Sequence, residues 1–263
     1  MEQIIKYPRT KHITGSCIQS GDEDLNTVAF ESIAGRFMVV EEKVDGANSG
    51  ISFDQKGKLY LQCRGHYLNG GYGERHFDLF KTWANCHRVA LFKLLGSRYI
   101  MYGEWLYAKH TVFYDELTHY FMAFDIYDKE EKCFLSTKRR REMLAPYPFI
   151  QSVLVLYEGK VEHFEKLKSY LGVSHFKSEN WEKCLEETSK ALGLETALIK
   201  QQTDSSRLME GLYVKIEEDD HVLQRVKYVR HSFTNTILDS STHWLSRPIV
   251  PNKLKAGIDI YGE

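Results

Sequence analysis

The sequence predicts an α+β fold in which antiparallel strands are flanked by helices. Aromatic or β-branched runs of strand length recur along the chain, and residues 209–217 and 222–229 face each other across a short turn. Elsewhere apolar residues recur every three or four positions, as they do from residue 76 to residue 95. The two kinds of segment together, with no internal repeat, indicate a mixed core of strands and helices.

The composition fits one large domain in a reducing compartment. The chain has 263 residues, of which 43% are hydrophobic, and this is enough for a sizeable core. Five scattered cysteines without Cys-x-x-Cys spacing argue against disulfides and structural zinc. Without a signal-peptide core or a run of about 18 apolar residues, we expect a cytoplasmic protein with no membrane partner. Because the net charge is -1, a nucleic-acid partner requires a local basic groove.

The first half of the chain predicts a short helix, three strands and a longer helix. Apolar residues at positions 25, 28, 29 and 33 suggest an amphipathic helix before the first core strand. The run 37–40 is typical of a buried strand, and 48–53 is its expected partner in a hairpin around Lys43. Residues 59–64 predict a third strand. The helical spacing from residue 76 ends near Gly96, which is a common stop.

The second half predicts two aromatic strands, a helical region and a strand pair. Residues 99–106 and 120–127 are aromatic and β-branched. Ser136 begins a helix whose basic run, residues 138–141, we expect to be solvated, because four successive cations cannot share one helix face. The remaining elements are a polar helical region at 158–200, a loop at 201–207 and the strand pair noted above.

Lys43 is the candidate nucleophile. It ends a predicted buried strand and is followed by Asp45 and Gly46. Burial lowers the pKa of a lysine, and an amine that has lost its proton is a nucleophile. Gly46 allows the backbone to pass close to the group that the amine attacks. The alternative is a hairpin whose Asp-Gly turn is flanked by surface charges, and only the rest of the chain can distinguish the two.

Charged residues on later predicted strands extend this candidate site. Each alone fits a solvated strand end or an outward face. Their order along the chain is Arg64, Glu104 in Tyr-Gly-Glu-Trp, the Phe-Asp pair Phe124-Asp125, Glu210 with Lys215 in Glu-Gly-Leu-Tyr-Val-Lys, and Arg225 with Lys227 in Gln-Arg-Val-Lys. This order after a lysine resembles the signature of the covalent nucleotidyltransferases, the superfamily of polynucleotide ligases and mRNA capping enzymes.

Within that superfamily the chain most resembles the RNA ligases typified by the second RNA ligase of phage T4. Asn48 stands where those ligases carry a functional asparagine, and Arg64 stands at the position of their post-nucleophile arginine. Residues 121–126 are similar to their aromatic-rich motif between the two glutamate motifs. The resemblance covers residues 37–230 by motif order. One departure is Arg225, where the final motif often has a lysine, and this change keeps the charge.

The resemblance implies an ATP-grasp-like ligase adenylation domain, that is, a nucleotidyltransferase fold. It also implies an ATP-dependent RNA ligase that joins 5′-phosphate and 3′-OH RNA ends through lysyl-AMP and an adenylylated RNA end, with Mg²⁺ or Mn²⁺. The implied catalytic residues are Lys43, Asp45, Asn48, Glu210 and Lys227. The implied nucleotide-binding residues are Glu42, Lys43, Gly46, Arg64, Glu104, Phe124, Lys215, Arg225 and Lys227.

Individual roles follow from the same resemblance. Glu104 is expected to bind the ribose hydroxyls, and Phe124 to stack on adenine, with Phe121 as the adjacent alternative. The two expected metal-binding residues act through water, and they are Asp45 and Glu210. The expected α-phosphate contacts are Lys227 and, more weakly, Arg225. Lys215 either touches phosphate or faces outward.

Three regions are expected along the chain. They are an N-terminal helical segment at 1–36 packed on the core, a nucleotidyltransferase core at 37–230 with a helical insertion at about 158–206, and a short C-terminal extension at 231–263. Because 36 residues follow Lys227, five strands of about 5–6 residues with their turns do not fit, and we expect no OB-fold domain.

Other functions stay open at this level. The same chemistry allows a minimal DNA ligase or an adenylyltransferase with a non-nucleic-acid acceptor, and the fold allows a catalytically silent nucleic-acid-binding module. Retention of Lys43, Glu104, Glu210 and Lys227 together argues against the silent module, since binding alone needs no nucleophile. The type of RNA substrate and an end-healing partner protein are not decided by the sequence.

Overall fold

Strands and short helices alternate in the computed structural model, which describes residues 3–18, 22, 24–233 and 247–262. The strands are β1 Lys11–His12, β2 Phe37–Lys43, β3 Ala47–Phe53, β4 Leu59–Cys63, β5 Tyr99–Trp105, β6 Phe121–Asp128, β7 Cys133–Leu135, β8 Gln151–Ser152, β9 Val155–Lys160, β10 Gly211–Glu218 and β11 His221–Val229. The helices are α1 Asp78–Cys86, α2 Arg88–Leu95, α3 Thr137–Leu144, α4 Phe164–Lys168, α5 Trp181–Ala191 and α6 Thr196–Gln201. Two 3₁₀ helices, Phe30–Ser32 and Tyr72–Phe77, complete the set.

One continuous sheet joins the 11 strands of the described residues, in the order β4-β3-β5-β6-β7-β11-β10-β2-β9, with β1 beside β11 and β8 beside β6. Neighbouring strands in that path are antiparallel, and the pairs β1·β11 and β6·β8 are parallel. The predicted antiparallel architecture is confirmed in this coarse form.

The sheet bends back on itself at the connection between β2 and β3. Six inter-strand steps separate these strands in the sheet order, which amounts to about 28 Å in a flat sheet. The chain from Lys43 to Ala47 can span at most about 15 Å. The two ends of the sheet path must therefore approach each other at residues 44–46, and this is the position of the pocket described below.

Side-chain alternation gives the sheet around β2 and β10 one apolar face and one charged face. Met38 and Val40 pack with apolar residues of β10 and β11 in a buried cluster. On the opposite face, Glu41 is in register with Tyr213, and Tyr213 is in register with Lys227. This charged face is turned towards the pocket, because all three of these residues line it.

Helices α1 and α2 cover the other half of the sheet. Phe80 and Trp83 of α1 stack with Phe121 of β6, at ring-centroid distances of 5.3 and 5.4 Å. The three side chains belong to one buried cluster with residues of β3 and β5. This packing fixes the strands that carry the second half of the site.

Several predicted elements differ in the structure. The expected hairpin around Lys43 is wrong, because β2 pairs with β9 and β10 whereas β3 pairs with β4 and β5. The expected helix at residues 25–33 is reduced to the 3₁₀ turn Phe30–Ser32. Residues 158–160, expected to be helical, end the strand β9 against β2. The long helix from residue 76 is interrupted at His87.

Two predicted helix boundaries are confirmed. Helix α2 ends at Gly96, whose φ of 51° is in the left-handed region that favours glycine. Helix α3 begins after Ser136, whose hydroxyl accepts a hydrogen bond from the backbone N–H of Arg139. The prediction that residues 138–141 are solvated is only partly right, because Arg140 points inward and forms a buried ion pair of 2.8 Å with Glu41.

The ends of the chain add little to the sheet. Strand β1 in the N-terminal segment pairs with β11. Of the expected C-terminal extension, residues 234–246 and 263 lie outside the described residues, and Pro251 and Leu254 make isolated bridges to Ala108 and Leu117. The three-region division stays a prediction. Among the described helices, none has the length and apolar character needed to span a membrane.

Candidate active site

A cavity of about 470 Å³ opens where the two ends of the sheet path approach each other. Its lining combines residues that are far apart in sequence. Ten of the twelve predicted site residues line it, and they are Glu42, Lys43, Asp45, Gly46, Asn48, Arg64, Glu104, Phe124, Glu210 and Lys227. Its volume is within the range typical of small-molecule sites.

The pairing of β2 with β10 brings Lys43 and Glu210 together. Lys43 ends β2 opposite Gly211, so the preceding residue, Glu210, lies beside it. The Nζ–Oε1 distance is 2.7 Å, and the side chains are 20% and 1% exposed. Burial lowers the pKa of Lys43, but the carboxylates of Glu210 and Glu104 outweigh burial and raise it overall. In the protein alone Lys43 is thus an ammonium, and the depressed pKa expected from its buried strand is wrong.

Glu104 faces the same amine from the other half of the sheet. It lies on β5 directly across from Asn48 on β3, and both line the cavity. Burial raises the pKa of Glu104 to about 8. The negative charges of Glu210 and Asp45 also raise this pKa, whereas the positive charge of Lys43 lowers it. Several carboxylates therefore crowd the lysine.

Gly46 allows the connection to pass close to β5. A Cβ atom there would lie 2.7 Å from the carbonyl oxygen of Trp105 and 3.0 Å from Cγ of Glu104. Contact with β5 thus requires glycine at this position, and the expected close passage around a reacting group stays a prediction.

Asp45 is held by the loop that follows β5. Its Oδ2 accepts backbone N–H bonds from Thr111 and Val112, at 2.7 and 2.8 Å, and its own N–H donates to the Tyr114 hydroxyl at 2.8 Å. Its Oδ1 lies 3.9 Å from Nδ1 of His110. One carboxylate oxygen is thus anchored, and the other lies on the cavity side with His110.

Lys227 supplies a second ammonium group to the cavity. Burial and the like charge of Lys43 lower its pKa. Its Nζ donates to Oδ2 of Asp22 at 2.5 Å, and Asp22 also lines the cavity. Burial raises the pKa of Asp22, but the hydrogen bonds from Lys227 and Arg9 and the positive charge of Lys227 together outweigh burial, and the net pKa is lowered.

Comparison with known proteins classifies this arrangement. A family model described as RNA ligase matches residues 36–229, which span β2 to β11 and every site residue described above except Asp22. The chain belongs to the RNA ligase family.

Solved structures of an RNA ligase from Naegleria gruberi share the fold. A variant with AMP and Mn superimposes with a TM-score of 0.54 at 15% identity, covering 90% of this chain and 59% of that chain. A variant with ATP and Mn gives a TM-score of 0.50 at 14% identity, covering 80% of this chain and 54% of that chain. This chain therefore spans about half the length of these structures. No curated protein sequence matches significantly.

Two predicted phosphate contacts lie outside the cavity of this RNA ligase family member. Lys215 is fully buried, 3.0 Å from Glu41 and 2.9 Å from Asp125. Arg225 donates to Asp125 at 2.8 Å, and its guanidinium lies 3.7 Å from the centre of the Phe134 ring. The structure thus corrects both positions. Lys215 pairs with both buried acids and Arg225 pairs with Asp125 alone, and Lys215 is neither at the cavity surface nor outward-facing.

Three further predicted residues have well-defined surroundings. Glu42 lines the cavity, but its carboxylate accepts hydrogen bonds from the Ser174 hydroxyl at 2.6 Å and the backbone N–H of His175 at 3.2 Å. Phe124 is half-buried in the lining, whereas the alternative Phe121 lies in the core with no exposure. Phe124 is therefore the better candidate for stacking, and Glu42 anchors the segment that precedes α5.

Sequence reasoning missed the contribution of the N-terminal segment. Tyr7 lines the cavity, packs edge-on against Phe124 at 5.0 Å, and shares a hydrogen bond of 2.7 Å with the hydroxyl of Tyr213. His12 is 1% exposed and pairs in register with Lys227. The position of Tyr213 could have been predicted from the alternation of polar and apolar residues in β10, because this alternation places Tyr213 on the same face as Lys215.

Loop residues divide between the surface and the interior. Arg64 and His66 are exposed at the mouth of the cavity. Lys109 and His110 are buried, at 7% and 6% exposure. The Lys109 ammonium donates to the carbonyl oxygens of His110 and Gln202, at 3.1 and 2.9 Å. Of these four loop residues, Arg64 and His66 are thus the ones exposed to a large substrate.

Proposed function

We propose that this protein is an ATP-dependent RNA ligase that seals 5′-phosphate and 3′-OH ends through lysyl-AMP and an adenylylated RNA end. The observation that carries the proposal is the position of Lys43. Its amine lies in a nucleotide-sized cavity with Glu210, Glu104 and a second ammonium, Lys227. A site built only for binding does not need an amine held among carboxylates. ATP as the nucleotide is further supported by the related Naegleria gruberi structures with ATP.

In the first step the Lys43 amine attacks the α-phosphorus of ATP. An N–P bond forms, the bond from phosphorus to the bridging oxygen breaks, and pyrophosphate leaves. The ammonium must release a proton, and Glu210 Oε1, at 2.7 Å, is placed to accept it. Burial raises the pKa of Glu210, which makes it a better proton acceptor. Lys227 is the cation placed to stabilise charge that develops on the α-phosphate oxygens.

In this proposal the nucleoside binds to the wall of the cavity that β5 and β6 form. Glu104 has a carboxyl group in the lining, and an oxygen of this group can accept hydrogen bonds from ribose hydroxyls. Phe124 offers a ring for stacking on adenine, and its orientation is fixed by Tyr7 at 5.0 Å. In this proposal β5 and β6 bind the nucleoside, and β2, β10 and β11 carry the reacting groups.

The donor set fits a hard divalent cation, Mg²⁺ or Mn²⁺. Asp45, Glu104 and Glu210 all line the cavity, and their mutual repulsion contributes to the raised pKa values of Glu104 and Glu210. Asp45 and Glu210 would hold the ion through water, since hard cations favour oxygen ligands and retain water. When bound, the cation supplies neutralisation of charge on the phosphates.

In this proposal the two steps that involve RNA take place at the mouth of the cavity. The 5′-phosphate of RNA attacks the phosphorus of lysyl-AMP, the N–P bond breaks, and Lys43 regains its amine. The oxygen of a 3′-OH then attacks the 5′-phosphate phosphorus of the adenylylated end and its proton is released to water; a phosphodiester forms, the P–O bond to AMP breaks, and AMP leaves. Arg64 is exposed at the mouth and is placed for the RNA phosphate. Asn48 lies deeper, across from Glu104.

The test is covalent labelling with α-³²P-ATP and Mg²⁺ in the absence of RNA, followed by a denaturing gel. Protein freed of bound AMP and pyrophosphate should give an acid-labile band that Lys43→Ala abolishes. Lys93→Ala, at a lysine on α2 outside the cavity, is the control and should label like the wild type. Absence of label in the wild-type protein overturns the proposal.

Substrate class is tested next with nicked duplexes whose ends are RNA or DNA. Sealing only when the 3′-OH strand is RNA supports the assignment, because the 2′-OH distinguishes RNA from DNA at a site. Equal sealing of both would favour the minimal DNA ligase. Labelling without sealing of any strand would favour a non-nucleic-acid acceptor.

A further inference from the structure

Asp22 forms an ion pair with the second ammonium of the cavity, Lys227. Its Oδ2 accepts a hydrogen bond of 2.5 Å from Lys227 Nζ, although the two residues are 205 positions apart. The carboxylate is 9% exposed and the lysine side chain 7%. The contact is thus inside the site described above and not on the surface.

Two other residues fix the Asp22 carboxylate from the N-terminal segment. Arg9 donates to Oδ1 at 3.1 Å, and Nε2 of His12 lies 3.5 Å from Oδ2. His12 is in register with Lys227 in the pairing of β1 with β11, so its place beside Lys227 is set by the sheet. The carboxylate is therefore held between Arg9 and Lys227, and it cannot turn freely towards solvent.

A negative charge here is unfavourable for binding an anion. Phosphate oxygens and the Asp22 carboxylate compete for Lys227, so a site optimised for nucleotide affinity alone would lack an acid at this position. An ammonium has three N–H donors, however, and a single carboxylate need not occupy all of them. The same contact opposes the repulsion between Lys227 and Lys43, the like charge that faces it.

We infer that Asp22 is a positioning residue for nucleotidyl transfer, which holds the Lys227 ammonium in the orientation that stabilises the α-phosphate during attack by Lys43. This inference rests on the proposed function. It assigns a catalytic contribution to a residue that precedes the region matched to the family model. Asp22 acts through Lys227 and does not itself contact the reacting atoms.

The substitution Asp22→Asn separates this role from simple affinity. It keeps the shape of the side chain and removes its charge. The apparent Kd for ATP should stay the same or fall, because a competing anion is lost. The single-turnover rate of Lys43 labelling at saturating ATP should fall about 10- to 100-fold, the effect of losing a charged hydrogen bond that orients a catalytic group.

Asp24→Asn is a matched control. Asp24 also pairs with Arg9, at 2.6 Å, but its side chain is 71% exposed. The same loss of charge two residues away should leave both the rate and the Kd unchanged. If Asp24→Asn slows labelling as much as Asp22→Asn does, general charge and not positioning is responsible, and the inference fails.

A double variant tests whether Asp22 affects the labelling rate only through Lys227. If Asp22 acts only by orienting this lysine, Asp22→Asn should cause no further loss of rate in a Lys227→Ala background. An additive loss overturns the inference, as does a wild-type rate in the Asp22→Asn protein. Absence of Lys43 labelling in the wild-type protein would instead overturn the proposed function. Thermal melting identifies a variant that fails to fold, and in that event Asp22→Ser replaces Asp22→Asn in both comparisons.

Discussion

The ammonium of Lys215 lies 2.9 Å from Oδ1 of Asp125, and both side chains are completely removed from solvent. This pair joins β10 to β6 across the inside of the folded sheet. Glu41 on β2 lies 3.0 Å from the same ammonium. One buried cluster of charges thus connects β6 to the neighbouring strands β2 and β10, from which it is separated in the sheet order.

Removal of the cation from this cluster should be strongly destabilising. In Lys215→Met the carboxylates of Glu41 and Asp125 lose a shared partner in a buried region. The loss of one partner from a buried ion pair typically costs about 3–5 kcal/mol in the free energy of unfolding. Urea denaturation followed by circular dichroism measures this change.

The matched control is Lys138→Met on the exposed side of α3. The Lys138 side chain is 78% exposed and lies 4.0 Å from Glu142, so the same substitution should change the free energy of unfolding by about 0.5 kcal/mol or less. If Lys215→Met weakened ATP binding and left stability unchanged, Lys215 would be a nucleotide contact and the structural role would be wrong.

Gly46→Ala should disturb the site through β5. The added methyl group would lie 2.7 Å from the carbonyl oxygen of Trp105, and backbone cannot move away as a flexible side chain can. Overpacking of this kind costs about 1–3 kcal/mol, and displacement of Glu104 should slow Lys43 labelling. Thermal melting and the labelling rate measure the two effects.

Gly172→Ala is the control for this change, because a Cβ atom there has no neighbour within 4 Å. It should preserve both the melting temperature and the labelling rate. A Gly46→Ala protein that matches this control in both measurements would contradict the close contact with β5.

The order of charged residues predicted which side chains meet, although the pairing of the strands was wrong. Lys43, Glu104, Glu210 and Lys227 all line one cavity, as the resemblance implied. Their approach depends on the folding back of the sheet between β2 and β3. Local patterns in a sequence do not encode a bend whose partners are more than a hundred residues apart, and for this reason a simple hairpin was expected.

The sequence alone did not predict which charged side chains are buried. Lys215 lies on a predicted strand and Arg140 in a basic run predicted to be solvated, yet both are buried, and each pairs with Glu41. Pairing between distant carboxylates and cations decides such positions, and it overrides the preference of single charges for the surface. The same applies to His12, whose partner Asp22 was not recognisable from spacing.

The stability of the protein should fall as the pH is lowered from about 6.5 to about 4. Burial lowers the pKa of His119 to about 4, below the value of 6.5 for the unfolded chain. The unfolded state therefore binds a proton first, and the stability that His119 contributes is complete above pH 6.5 and is lost as the pH falls towards 4. For one such group the slope is about 1.4 kcal/mol per pH unit.

The contribution of His119 is isolated by comparing His119→Leu with the wild type. The free energy of unfolding, measured by urea titration between pH 4 and 7, should depend less steeply on pH in this variant. His12 and His110, whose pKa values burial also lowers to about 4, should maintain part of the slope. His163→Leu, at an exposed position on the surface, is the control. An unchanged slope in His119→Leu would show that this imidazole is not buried in its neutral form.

Asn48→Ala should separate the steps of the reaction. Asn48 lines the cavity opposite Glu104, whereas the amine of Lys43 is paired with Glu210, so loss of the amide leaves the Lys43–Glu210 pair intact. We expect labelling of Lys43 to stay within about 10-fold of the wild type, and sealing of a pre-adenylylated RNA nick to fall by about 100-fold or more, the loss typical of a group that acts only in one transition state. Asn85→Ala, on the exposed surface of α1, should seal at the wild-type rate. Equal losses in labelling and sealing would mean that Asn48 serves nucleotide binding in general, because only a contact made to the RNA-adenylate affects the last step alone.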